Sequence, residues 1–299
     1  MKKSCQQYSD YTLQPLHMKG KKMKLIISVK YFILVLWICN AVAEQLDMGD
    51  DFNFIPITQQ PLAYFPQPRI VGGLNANDNQ FPYQISLRLY NYHICGGSII
   101  SKNYVVTAAH CVTSGFGSTI RNTPLSIMTI RAGSRDVNSG GIIVGVSKVI
   151  VHPDYKNFNN DIAVVKLSKS LESSGSIHPI ALATQNPKSG VKVVTSGWGR
   201  LRTGGDTPQI LQFNTLTSIS NAECKHRIGN VATSILCLGH TNGNGVCNGD
   251  SGGPAVYNNQ LVGVTNFIVG GCGSNAPDGY ASVAFFSSWI QNNTDLKKN

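Results

Sequence analysis

The stretch Gly249-Asp250-Ser251-Gly252-Gly253-Pro254 decides how the rest of the chain is read. A serine hydroxyl stays protonated at neutral pH and is a weak nucleophile. It needs a base to take its proton and donors to hold the oxyanion that follows attack. Glycines on both sides of Ser251 let the backbone turn sharply and bring N–H groups close to a substrate. Alone, the stretch reads equally well as a tight turn. It becomes a site only if a histidine and a carboxylate occur elsewhere in a supporting context. Two upstream stretches supply them: Thr107-Ala108-Ala109-His110-Cys111 and Asp161-Ile162-Ala163-Val164-Val165-Lys166-Leu167.

Length and composition narrow the architecture. A chain of 299 residues can bury a sizeable core, in one large domain or two small ones. Charged residues make up 13% and there are 30 glycines, short strand-like runs dominate, and few positions show a helical period, so the fold class is all-β. Strands are expected at Tyr83–Leu89, Val105–Ala109, Gly145–Val151, Val191–Gly199 and Leu261–Thr265, and the one helix at Phe286–Asn293. The formal net charge is +10; from Ile70 onward 17 Lys and Arg stand against 10 Asp and Glu, a net +7. These basic residues are scattered, which describes a solvated surface and no nucleic-acid partner.

The N-terminal region reads as processing signals. Basic residues from Met23-Lys24, an apolar run through Tyr31–Cys39, and Ala41-Val42-Ala43 form a secretory signal ending residues 1–43, behind an N-terminal extension. The run is short for a bilayer span of about 20 residues, so no stable membrane association is expected and the protein is expected to be extracellular. Residues 44–69 read as an activation pro-segment, acidic at its start and broken by Pro56, Pro61, Pro66 and Pro68. It ends at Arg69, a site for a trypsin-like activator, and carries no cysteine to tether it after a cut. Of eight cysteines, six lie in residues 70–299, an even set in a secreted chain; they suggest three disulfides and leave 15 connectivities open.

With Arg69-Ile70-Val71-Gly72-Gly73, the stretches around His110, Asp161 and Ser251 resemble the trypsin/chymotrypsin-like serine peptidases, in the family's order and spacing, from about Ile70 to Ile290. The resemblance implies two six-stranded antiparallel β-barrels with the active site in the cleft between them, and a short C-terminal helix. It implies the pairs Cys95–Cys111, Cys224–Cys237 and Cys247–Cys272. It implies that Ser251 attacks the scissile carbonyl, that His110 takes and returns the proton, that Asp161 holds the imidazole, and that the N–H groups of Gly249 and Ser251 form the oxyanion hole. After cleavage, the Ile70 ammonium is expected to pair with Asp250; before it, either Asp250 pairs with His93, helped by Ser86, as in some zymogens of the family, or His93 is an ordinary structural histidine. His152 and His178 read as surface or loop histidines. No metal-ligand spacing is present, and no cofactor or calcium site is expected.

Specificity rests on fewer residues. By resemblance, Gly245 is the floor of the primary (S1) pocket, where trypsins carry aspartate. Asn266-Phe267-Ile268 stands where trypsin and chymotrypsin have Ser-Trp-Gly, and a branched Ile268 should narrow the pocket, as valine does in pancreatic elastases. Asp278 aligns with the other pocket-lining position, and a glycine floor beside an aspartate wall resembles broad-specificity crustacean collagenolytic proteases. A buried Asp278 could accept a basic side chain, or be neutral or bonded to Tyr280 or water. The expectation is an elastase- or chymotrypsin-like, or broad, serine endopeptidase acting on proteins or peptides as a monomer, held in check by serpins or other inhibitors. The alternative is a catalytically weak or non-catalytic anion-binding protein on the same scaffold.

Overall fold

The computed structural model describes residues 71–115 and 120–296. The signal-like run, the pro-segment, Arg69 and Ile70 lie outside the described residues.

Six strands form the first barrel: β1 (Gln84–Leu89), β2 (Tyr92–Ile99), β3 (Tyr104–Thr107), β4 (Met128–Ala132), β5 (Ile142–Val151) and β6 (Ala163–Leu167). They run antiparallel in the ring order β1-β2-β3-β6-β5-β4, and the ring closes where Ile85 faces Ala132. Six more form the second: β7 (Lys192–Gly197), β8 (Gln212–Ile219), β9 (Ile235–Gly239), β10 (Pro254–Tyr257), β11 (Gln260–Phe267) and β12 (Asp278–Ser282). Their order is β8-β7-β10-β11-β12-β9, closed where Thr217 of β8 faces Gly239 of β9. The fold is therefore the pair of six-stranded antiparallel barrels that the sequence resemblance implied.

Local sequence explains the strands. In β6 only Lys166 reaches solvent, so Ala163-Val164-Val165 and Leu167 form a continuous buried run. In β1 the alternating Ile85 and Leu87 are wholly buried in the first core with Ile99, Val106 and Ile130. The second barrel has its own core around Val193, Leu216, Leu238, Val262 and Tyr280. Each closed ring also removes the open sheet edge that would otherwise invite pairing with another chain.

The helices depart from the sequence expectation. The C-terminal one, here α2 (Val283–Asn292), starts earlier because Ser282 caps it: the Phe285 N–H donates to Ser282 Oγ at 3.2 Å. Its buried face is Val283, Phe286 and Ile290, at helical spacing. A second helix, α1 (Asn221–Ile228), was not expected. It is short and buries only Cys224, so it has almost no apolar period to read. Its start is nonetheless legible as Ser220-x-x-Glu223, where the Glu223 N–H donates to Ser220 Oγ at 3.1 Å, and the Cys224–Cys237 disulfide ties it to β9. No helix among the described residues is long and apolar enough to cross a membrane.

Candidate active site

His110 sits just beyond β3, on a single 3-10 turn, Ala109–Cys111. The Cys95–Cys111 disulfide ties this turn back to β2. Asp161 lies two residues ahead of β6 and is fully buried. Both its oxygens are used on one partner: His110 Nδ1–H donates to Oδ2 at 2.6 Å and the His110 backbone N–H donates to Oδ1 at 2.9 Å. Two bonds from one residue fix the plane of the imidazole as well as its position. They leave Nε2 as the unengaged ring nitrogen, on a side chain that is 23% exposed.

Ser251 comes from the second barrel, in the loop before β10, and the loop is anchored to both barrels. Its carbonyl accepts from the Gly96 N–H of β2 at 2.8 Å. On either side, Asp250 N–H donates to Cys247 O at 2.9 Å and Gly252 N–H to Thr265 O at 2.7 Å. The Cys247–Cys272 disulfide fastens the same loop to the segment after β11. Among the described residues, the N–H groups of Gly249 and Ser251 have no acceptor, while those of Asp250 and Gly252 do. Two adjacent unspent donors beside a serine hydroxyl are what an oxyanion requires. Gly249 has φ +102, a backbone conformation that a side chain would strain.

Two buried groups hold that loop from behind. Asp250 is almost inaccessible and accepts from the backbone N–H groups of Gly199 at 2.7 Å and Cys247 at 2.9 Å. Burial outweighs these two bonds and pushes its carboxyl up to about 7. His93 does not bond to Asp250, contrary to one of the two readings weighed from the sequence. Its Nδ1 lies 2.8 Å from Ser86 Oγ and its Nε2 lies 3.1 Å from the Gly249 carbonyl. Burial pushes His93 down to about 4, against the Gly249 bond and with help from the nearby Arg88. A neutral ring has one N–H, so Nε2–H donates to Gly249 O and Ser86 donates to Nδ1. His93 thereby fixes the Gly249–Asp250 peptide, whose N–H donates to the Cys247 carbonyl.

The cleft beside these groups has a volume of about 670 Å³. His110, Gly249 and Ser251 line it, with Ile94, Phe158, Val246, Asn266, Phe267 and Ile268 as its walls. Asn266 does more than replace a serine: its Nδ2 donates to the Phe158 carbonyl at 3.0 Å. That bond holds the loop ahead of Asp161, whose Phe158 ring meets His110 edge-on at 5.8 Å. Asn157, Phe158 and Asn160 all have positive φ, so this loop is shaped by tertiary contacts.

Gly245 and Asp278 lie behind Val246 and do not line the open cleft. Asp278 is buried at the start of β12, and its Oδ2 accepts from the Val246 N–H at 2.9 Å. Its second partner is His240, with Nε2 at 3.2 Å from the same oxygen. Tyr280, weighed as a partner from the sequence, leaves its hydroxyl without one. Sequence reading missed His240, Phe158 and the contact of His93 with Gly249. His152 packs against Phe286 and Trp289 of α2, and His178 is on the surface; neither lines the cleft. Cys95, His110 and Cys111 cluster closely enough to suggest a metal, but both sulfurs are joined in the disulfide and offer no thiolate.

The family model described as Trypsin matches residues 70–290. "Serine protease SP24D" of Anopheles gambiae is 46% identical over 266 residues, covering 89% of this chain and 94% of the relative. Trypsin alpha of Drosophila melanogaster is 41% identical over 229 residues, covering 74% of this chain and 86% of that protein. Among solved structures, neuropsin, a serine protease expressed in the limbic system of mouse brain, superposes with a TM-score of 0.67 at 28% identity, covering 74% of this chain and 98% of that one.

Proposed function

The chain belongs to the trypsin family and is a serine endopeptidase acting on protein substrates, and we propose that it works through an acyl-enzyme on Ser251 after activation by a cut at Arg69. One observation carries the assignment of roles. A buried Asp161 holds His110 by two hydrogen bonds in the cleft that Ser251 also lines, beside two N–H groups without acceptors.

The chemistry follows in two halves. As Ser251 Oγ attacks the scissile carbonyl, its proton passes to His110 Nε2, and the imidazolium is stabilised by the Asp161 carboxylate at Nδ1. The carbonyl oxygen becomes an oxyanion between the N–H groups of Gly249 and Ser251. When it collapses, the C–N bond breaks and His110 gives its proton to the leaving amine. A water then repeats the sequence on the ester and regenerates Ser251.

Activation is the second part of the reading. Residues 1–43 act as extension and secretory signal, 44–69 as pro-segment, and 70–299 as the extracellular peptidase domain. The cut after Arg69, by a trypsin-like protease, frees the Ile70 ammonium to pair with Asp250. Two features support this. Asp250 is a buried carboxyl whose charge is disfavoured by burial, so a cation is the partner it needs. Val71, next to Ile70, is itself buried, and its carbonyl accepts from Asn214 Nδ2 at 3.2 Å. The α-amino group has a reference pKa of about 8, and pairing raises it; activity persists below that value and is lost as pH rises through the raised one.

The walls Ile94, Val246, Phe158, Phe267 and Ile268 favour small to medium apolar side chains at P1, the substrate residue before the scissile bond. The enzyme is expected to act as a monomer and to be checked by serpin-type or other inhibitors. The test is a peptide library varied at P1, read with the chain cut after Arg69 and with its Ser251→Ala variant. Cleavage after Ala, Val or Leu that vanishes in Ser251→Ala is expected. Turnover surviving in Ser251→Ala would overturn the roles, and undiminished activity after acetylation of the Ile70 amine would overturn the activation step.

A further inference from the structure

Behind the cleft, His240 and Asp278 meet across Gly245. The register of the second barrel brings them together: Leu238 of β9 faces Asp278 of β12, and His240 lies two residues on, towards the same side. Gly245 sits between them with φ +120. A Cβ at this position would stand 2.7 Å from Asp278 Oδ2 and 2.8 Å from His240 Nε2. The space that a floor side chain would fill is therefore occupied by an imidazole and a carboxylate. Their side chains are 2% and 4% exposed.

The surroundings of the ring define its protonation. His240 Nε2 faces Asp278 Oδ2 at 3.2 Å, out of line for a good hydrogen bond, and Nδ1 faces the Thr241 carbonyl at 3.2 Å. Both neighbours are acceptors, and only the doubly protonated ring carries a proton towards each. Burial pulls the ring's pKa down, but the Asp278 carboxylate 3.2 Å away and the Thr241 carbonyl outweigh it, so the pKa is raised; Arg227 opposes them. The other charged groups nearby are Glu223 of α1 and Lys192 of β7 on the outer side of His240, with Asp250 and the Tyr280 hydroxyl on the side of Asp278.

We propose that His240 sets the P1 preference of this peptidase: by holding the Asp278 carboxylate beneath Gly245, its imidazolium closes the pocket floor to lysine and arginine and leaves the pocket to apolar side chains. The proposal rests on the reading that the S1 pocket ends at Gly245 and Asp278, which lie behind the cleft wall at Val246. A substrate ammonium reaching Asp278 meets a carboxylate that is already neutralised and a like charge beside it. His240 touches no reacting atom; it is a positioning residue acting through Asp278. The arrangement is pH-dependent. The ion pair is fully formed below the ordinary histidine pKa and is lost as pH rises through the raised value, when the ring gives up its second proton.

The experiment measures kcat/KM for two peptides differing only in P1, Lys or Leu, using the chain cut after Arg69. The Lys:Leu ratio cancels any pH dependence that both substrates share, that of the Ile70 amine included. His240→Gln is expected to raise the ratio by about tenfold or more, and the parent's ratio is expected to climb from about pH 6 to about pH 9. Asp278→Asn and the double variant His240→Gln/Asp278→Asn are expected to show neither rise. A His240→Gln ratio within about twofold of the parent would overturn the proposal. Should that variant fail to fold, the parent's own profile decides, and a ratio flat with pH overturns it. The reading of an apolar P1 preference is judged separately, by whether the parent prefers Leu to Lys at neutral pH.

Discussion

Among the described residues two buried His–Asp pairs occur, and they are built differently. In the first, Asp161 takes two in-line bonds from His110, and the ring's other nitrogen is free at the cleft. In the second, Asp278 is shared between His240 and the Val246 N–H, and both nitrogens of His240 face acceptors. A histidine with one free nitrogen can cycle a proton. A histidine with both nitrogens engaged can only hold one. Position reinforces the contrast: the His110 side chain is 23% exposed and that of His240 only 2%.

The largest effect that would break this comparison is expected at the first pair. His110→Ala or Ser251→Ala should lower kcat by about 10⁶, and Asp161→Asn by about 10⁴; both magnitudes are carried over from well-studied serine proteases, the second from the family's own template. Single-turnover acylation assays check them, and a loss below about tenfold for Asp161→Asn would remove the distinction between the two carboxylates. Next in size, Ile268→Gly should widen the cleft and raise kcat/KM for P1 Phe over P1 Val by roughly tenfold to a hundredfold. An unchanged Phe:Val ratio would mean that Ile268 is not the narrowing wall.

A third comparison is energetic. Removing the Cys247–Cys272 bridge by paired alanines should cost about 2–4 kcal/mol in denaturant unfolding. It should also lower activity, because the bridge fastens the Ser251 loop. Activity falling only in proportion to the unfolded fraction would show that the bridge stabilises the domain without positioning that loop. A fourth concerns pH. His93 is held down to about 4, so its contribution to stability is full above the ordinary histidine pKa and is lost as pH falls towards 4. The shift corresponds to a contribution on the order of 3 kcal/mol. His93→Gln should flatten the acid limb of the stability profile while leaving the neutral-to-alkaline limb, to which His240 and Asp250, both raised, contribute with the opposite sign. An unaltered acid limb would assign acid sensitivity elsewhere.

Much of this was readable before any coordinates. His110, Asp161 and Ser251 each announce themselves within a short run of consecutive residues, because each sits on a tight local structure: a turn after β3, the approach to β6 and a glycine-flanked loop. Barrel strands were legible for the same reason, since alternation and apolar runs are local consequences of burial. Helix α1 was not, because its anchor is a disulfide and a cap, and not an apolar stripe. The partners were also hidden. Asp278, if buried, would need a companion, yet nothing near it in the chain names His240; that follows from the pairing of β9 with β12. Likewise, Asn266 reaches Phe158, and His93 reaches the Gly249 carbonyl, across segments distant in sequence. Chemistry carried by neighbours in the chain is written in residue order. Chemistry carried by register and by the meeting of two barrels depends on closure of the whole fold, and only the assembled structure decides it.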